Sequence, residues 1–201
     1  KLLDAVGATP ADVVSTIDYV HVAALPRYKD IIQVRRDFFG DASPASIKVV
    51  VEDMVTPGVM LEIGALAIKA DSGTEKNRSS SHDFGDDSCR PYIRKGDLLC
   101  FSGIAASDNS SRDKGIGDLV RQTRQIYEKV EKQLLEAGLS MSNVVKTVDY
   151  ITPIALDDYR YTGDIRKEFF ANRFPVATGV IVKRLPCPES LIEIEFTAVA
   201  E

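Results

Sequence analysis

The chain has 201 residues, of which 44% are hydrophobic and 27% charged, a balance that suits a globular protein of one or two domains. Its net charge of −5 argues against nonspecific nucleic-acid binding, which rests on neutralising phosphates with Lys and Arg. No apolar run approaches the roughly eighteen residues of a membrane helix, and the residues given show no basic-then-apolar leader.

Cys89, Cys100 and Cys187 form no C-x-x-C pair, so reduced thiols in a cytoplasmic setting are expected rather than a disulfide framework. His21 and His82 stand in unlike contexts far apart, so no metal site is expected.

In chain order, the first stretch is one half of a repeat. Leu3 to Ala70 lies on Leu134 to Glu201 without a gap, at an offset of 131 residues. Gly7 meets Gly138, Thr16, Asp18 and Tyr19 meet Thr147, Asp149 and Tyr150, and Tyr28 meets Tyr159. Phe38-Phe39 meets Phe169-Phe170, Pro44 meets Pro175, and Glu62-Ile63 meets Glu193-Ile194. A constant offset over so many residues predicts a tandem duplication. Residues 1–70 are expected to form a first domain lacking its N-terminal hairpin and most of its first helix. The Ser-, Asp- and Gly-rich stretch 71–88 reads as a polar linker, and 89–201 as a complete second domain.

Within the second copy, Tyr92-Ile93 and Asp97 to Gly103 predict a β-hairpin turning at Gly96-Asp97. Apolar residues from Ile116 to Leu135 recur at helical spacing, and Gly138 suits a helix C-terminus. Val144 to Ile151 predicts a strand, Asp157 an N-cap for a second helix through Phe170, and Ala177 to Val182 and Leu191 to Val199 two more strands. The order β-β-α-β-α-β-β implies an α+β fold, a mixed sheet with two helices packed on one face.

Tyr92, Phe101-Ser102-Gly103, Val145-Lys-Thr-Val, Phe174-Pro175, Arg184-Leu185-Pro186 and Ile192-Glu-Ile-Glu195 together resemble the Rid (YjgF) family. That resemblance implies a chorismate-mutase-like domain assembled as a homotrimer or a higher closed ring, with ligand clefts between subunits. It also implies hydrolysis of enamines and imines without metal or organic cofactor. The family's cleft tyrosine corresponds to Tyr92, its Ser-Gly strand end to Ser102 and Gly103, and its water-handling carboxylate to Glu193, with Glu62 the equivalent in the first copy.

One family residue is missing. The Arg that would grip a substrate carboxylate is replaced by Ala177 in the second copy and Ser46 in the first. Two residues on stand Gly179 and Lys48, and Lys48 is a candidate to supply the lost positive charge. Each candidate also has a plain structural reading. Glu193 and Glu62 could be strand carboxylates paired with neighbouring cations, Lys48 a solvated lysine, and Tyr92 a packing residue. The leading expectation is a cofactor-independent deaminase-like hydrolase acting on a small molecule, with Glu193 as acid/base. The alternative is a non-catalytic binding or scaffold member of the family. The acidic composition disfavours a ribonuclease or any nucleic-acid partner, and no membrane partner is expected.

Overall fold

A computed structural model describes residues 1–69, 76–78, 90–106 and 118–200. Two compact units emerge, Lys1–Ser102 and Gly103–Glu201. Most of the expected linker 71–88, together with Cys89 and Ile116, lies outside the described residues. No helix among the described residues is long and apolar enough to cross a membrane.

The first unit opens with a short helix, α1 (Leu2–Ala5), and continues through β1 (Val13–His21), α2 (Tyr28–Phe39), β2 (Ala45–Val51) and β3 (Leu61–Ala67). Its sheet has the order β2-β1-β3, with β1 parallel to β2 and antiparallel to β3. The unit also holds β4 (Lys76–Arg78) and a hairpin of β5 (Tyr92–Lys95) and β6 (Leu98–Phe101), which turns at Gly96 with φ of +61°. Ile93 and Cys100 of the hairpin bury themselves against Val14 and Ala45, with Ile68 and Leu98 at the margin. The hairpin expected for the second copy thus contributes to the core of the first unit.

The second unit contains β7 (Ile104–Ala105), α3 (Leu119–Glu136), β8 (Val144–Ile151), α4 (Thr162–Phe170), β9 (Val176–Ile181) and β10 (Ile192–Val199). β10 is antiparallel to β7 and to β8, and β8 is parallel to β9. α3 forms because its apolar residues Leu119, Ile126, Tyr127, Val130 and Leu134 fall on one face, where all are buried. Tyr127 packs its ring 5.3 Å from that of Phe169, 5.5 Å from Phe170 and 5.7 Å from Phe196, which joins both helices to β10. The architecture is α+β, with helices on one face of a mixed sheet.

The strand registers of the two units differ by the offset read in the sequence. Ser15 pairs with Ala45 and Lys146 with Val176; Val20 pairs with Leu61 and Ile151 with Ile192. Helix ends repeat too. At α3, Gly138 adopts φ of +75° while Leu139 N–H donates to the Leu134 carbonyl at 2.8 Å; at α1, Gly7 has φ of +65° and Ala8 N–H donates to Leu3 at 2.8 Å. Both are glycine-closed helix C-termini that satisfy otherwise orphaned carbonyls.

One expectation needs correction. Asp157 does not cap the second helix. The segment Pro153–Tyr161 is 3₁₀-helical and follows the extended Thr152, and α4 begins at Thr162. Pro153 suits the first turn because its fixed φ is already helical and its missing N–H would have had no partner there.

Candidate functional site

β10 carries the strongest candidate. Strand alternation puts Glu193 and Glu195 on one face and Ile194 and Phe196 on the other, toward the helices. Glu193 is 8% exposed and stands in register with Tyr150 of β8 on one side and Ala105 of β7 on the other. Its surroundings are held by two polar side chains of α3, the half-buried Lys129 and the buried Gln122. Lys129 donates to the carbonyls of Ala105 at 2.9 Å and Ala106 at 3.0 Å, which fixes β7. Gln122 donates to the Glu189 carbonyl at 2.9 Å and accepts from Leu191 N–H at 2.8 Å, which fixes the loop leading into β10.

Glu195 is a member of this face that the sequence reading passed over. The Tyr150 hydroxyl donates to its Oε2 at 3.4 Å. Burial pushes its carboxyl up, against the opposing pull of Lys146 and Tyr150. Its position two residues after Glu193 in an I-E-I-E strand was the available signal. The first unit has no such pair. Glu62 is exposed, and the residue two on is Gly64, where a Cβ would lie 2.9 Å from Ile17 Cγ2.

The remaining candidates are placed apart. Ala177 is exposed on β9 and in register with Thr147, so it projects from the same face as Ile194 and from the opposite face to Glu193. In the first unit Lys48 pairs with Asp18 and Glu62 with Tyr19, again on opposite faces. Lys48 Nζ rests 3.7 Å from the centre of the Tyr28 ring. Tyr92 packs 5.5 Å from the ring of Phe101. Ser102 is 1% exposed; its Oγ accepts from Ser46 N–H at 2.9 Å and donates to the Arg90 carbonyl. Gly103 opens the second unit, next to β7.

Each unit also contains a Thr-Asp-Tyr-Arg cluster, buried throughout in the first and part-buried in the second. In the first, the Tyr28 hydroxyl donates to Asp18 Oδ2 at 2.7 Å, while Arg35 reaches Asp18 Oδ1 and Thr16 Oγ1, both at 2.9 Å. In the second, Tyr159 donates to Asp149 Oδ2 at 2.7 Å, but Arg166 lies 3.5 Å from that carboxylate and 3.3 Å from Thr147 Oγ1. Asp149 Oδ1 is buried and has no hydrogen-bond partner among the described residues. Burial raises the Asp149 carboxyl, opposed by the Tyr159 hydrogen bond and by Arg166. The matched Thr, Asp and Tyr positions signalled these clusters in the sequence, whereas the two arginines give no sign of burial there. Among the described residues no set of three His, Cys, Asp or Glu side chains is gathered as a metal site.

Residues 88–200 match the family described as Endoribonuclease L-PSP. A RutC family protein of Pyrococcus horikoshii is 32% identical over 114 residues, spanning 55% of this chain and 88% of the relative. The human 2-iminobutanoate/2-iminopropanoate deaminase is 32% identical over 101 residues, spanning 50% of this chain and 72% of that protein. A solved structure from Mycobacterium tuberculosis, described as a member of the YjgF/YER057c/UK114 family, aligns with a TM-score of 0.52 and 28% identity over 63% of this chain and 99% of its own. With this family match over more than half its length, the chain belongs to the Endoribonuclease L-PSP family, the Rid/YjgF group.

Proposed function

We propose that the protein hydrolyses an enamine, imine or related small molecule without a cofactor, with Glu193 as acid/base. The observation that carries this reading is the nearly complete burial of Glu193, with β7 and the loop before β10 pinned around it by Lys129 and Gln122. Burial is what fits a carboxylate for proton transfer near neutral pH. Glu193 would take a proton from water as its oxygen adds to the C=N carbon and pass that proton to the nitrogen, giving a carbinolamine; it would then carry the hydroxyl proton to the nitrogen as the C–N bond breaks and the carbonyl forms. The products are a carbonyl compound and ammonia. Relatives named as 2-iminobutanoate/2-iminopropanoate deaminases support the reaction class.

Ala177 and Glu193 project from opposite faces of one sheet, so a cleft that uses both positions draws them from different copies. This fits a closed homotrimer or higher ring with sites between copies, and the exposed apolar residues Val176, Ile181, Ile63 and Leu66 fit burial in such contacts. The repeated registers support a tandem duplication.

The test is ammonia release from an imine generated in place by an amino-acid oxidase, comparing wild type, Glu193→Gln and Ala177→Arg. Loss of activity in Glu193→Gln supports the role; unchanged activity refutes it. A second reading, a binding member without hydrolysis, is favoured by the loss of the Arg at Ala177 and by the engagement of Ser102 Oγ with Ser46 and Arg90. Ligand binding without turnover across enamine and imine substrates is the outcome that selects it.

A further inference from the structure

We propose that the first unit carries a docking groove, between α2 and β3, for an amphipathic α-helix of a partner polypeptide. That helix is apolar and aromatic on one face, with an arginine at its edge. The groove does not depend on the chemistry assigned to Glu193.

The second unit shows what fills such a place. There α3 lies between α4 and β10, where the Tyr127 ring bridges Phe169, Phe170 and Phe196. Ile165, Ile194 and Phe196 are 4%, 0% and 0% exposed. At the offset of 131 they correspond to Val34, Ile63 and Ala65. Ile63 and Ala65 stand in register with Asp18 and Thr16, to which Arg35 of α2 bonds, so they lie on the helix side of the sheet. Yet Val34 is 65% exposed and Ile63 49%, and Ala65 is exposed too. Phe38, the counterpart of Phe169, is 55% exposed. Only the last turn of α3 has a match, in α1, which Gly7 closes as Gly138 closes α3. Among the described residues of the first unit, no helix stands in place of Leu119 to Glu131. Val34 and Phe38, one turn apart on α2, thus form an uncovered apolar stripe beside an uncovered strand, the form in which grooves receive helices. Ile63 belongs to this groove, and contacts between copies rest on Leu66, Val176 and Ile181.

Charge selects the occupant. At its rim α3 is held by Arg124, 2.7 Å from Glu168 Oε2. Glu168 corresponds to Asp37, which is exposed next to Phe38 and whose Oδ1 accepts from Gln33 at 2.9 Å. An incoming helix with an arginine three places before its central aromatic meets a carboxylate there, as α3 does with Arg124 and Tyr127. A second copy does not qualify, because its α3 spends that face on its own Phe169, Phe170 and Phe196. The occupant is a separate helix with the pattern of α3.

The probe is a synthetic peptide of residues 118–137, labelled with a fluorophore at its N-terminus and titrated with the whole chain while anisotropy is read. Saturable binding is expected, and Val34→Asp and Phe38→Asp should each weaken it at least about tenfold by placing a charge under the helix. Both side chains are exposed, so the variants should melt as wild type does. Asp37→Lys should weaken the peptide about two- to fivefold, and a peptide carrying Arg124→Glu should recover the loss. Glu193→Gln should bind as wild type does, which separates the groove from the proposed hydrolase. Absence of saturable binding would overturn the proposal. So would binding unaltered in Val34→Asp and Phe38→Asp, which would mean that the peptide exchanges with α3 in the second unit. Self-association of the chain that Phe38→Asp abolishes would also overturn it, by making a second copy the occupant.

Discussion

The ammonium of Lys95 lies 2.9 Å from Asp12 Oδ1, with the lysine side chain 4% exposed and the aspartate 19%. Lys95 also donates to the carbonyl of Ile68, so one side chain of the hairpin ties together the start of β1 and the end of β3. Lys95→Met is expected to destabilise the protein by about 2–4 kcal/mol, below the full cost of orphaning a buried charge because Asp12 keeps some contact with water. Urea unfolding gives the number. A loss under about 0.5 kcal/mol would show that water replaces the lysine at no cost.

The same pair sets a pH dependence. Lys95, then the Thr9 N–H and hydroxyl, hold the Asp12 carboxyl well below the usual carboxylate range. A carboxyl depressed in the folded state contributes stability above its unfolded pKa of about 3.9 and loses it as pH falls toward the folded value. Wild type should therefore lose its advantage over Asp12→Asn below about pH 4, and parallel stability curves for the two would contradict the assignment.

Arg35 and Asp18 are 5% and 0% exposed, and the Asp18 carboxylate is bonded by both Arg35 and Tyr28. Arg35→Met leaves that carboxylate buried and should cost about 3–5 kcal/mol. The double variant Arg35→Met/Asp18→Leu should recover much of the loss, since it removes the orphaned charge as well. Calorimetric melts of the two variants make the comparison. Additive losses would mean that the residues act independently.

Much of the architecture was legible because it rests on local signals. The alternation of Val144 to Ile151, the helical spacing through α3 and the glycine at 138 each fix their elements without long-range information. The offset of 131 residues carried the rest, since the strand registers repeat with it. Side-chain commitments were not legible. Nothing local tells that Ser102 spends its hydroxyl on Ser46, or that the hairpin around Ile93 packs with Val14, because those contacts join residues far apart in sequence. The arginine clusters were hidden for a further reason. Arg35 and Arg166 sit on helices whose other cations face solvent, and only the register of β1 and β8 brings Asp18 and Asp149 beneath them.

Ser102 gives a direct contrast between cleft and core roles. Its Oγ satisfies Ser46 N–H in a nearly inaccessible position, so Ser102→Ala leaves a buried donor unpaired and should cost about 1–3 kcal/mol in stability. If activity is detected, the Michaelis constant should be unchanged under conditions where the variant is folded. A weaker apparent affinity at intact stability would instead place the hydroxyl in the cleft.

Glu195 offers a prediction of opposite sign to Asp12. Burial raises its carboxyl, while Lys146 and the Tyr150 hydroxyl pull it down. A carboxyl raised in the folded state costs stability where it is ionised in both states. The cost vanishes as pH falls through the folded pKa toward the ordinary glutamate value of about 4.3. Wild type should therefore gain stability relative to Glu195→Gln as pH is lowered through that window, the reverse of the Asp12 curve. Tyr150→Phe removes one of the groups holding the carboxyl down, so it should move the window to higher pH. Denaturant midpoints taken across pH for the three proteins test both steps. A window that stays fixed in Tyr150→Phe would show that the 3.4 Å contact does not act on the carboxyl, leaving Lys146 as the group opposing burial.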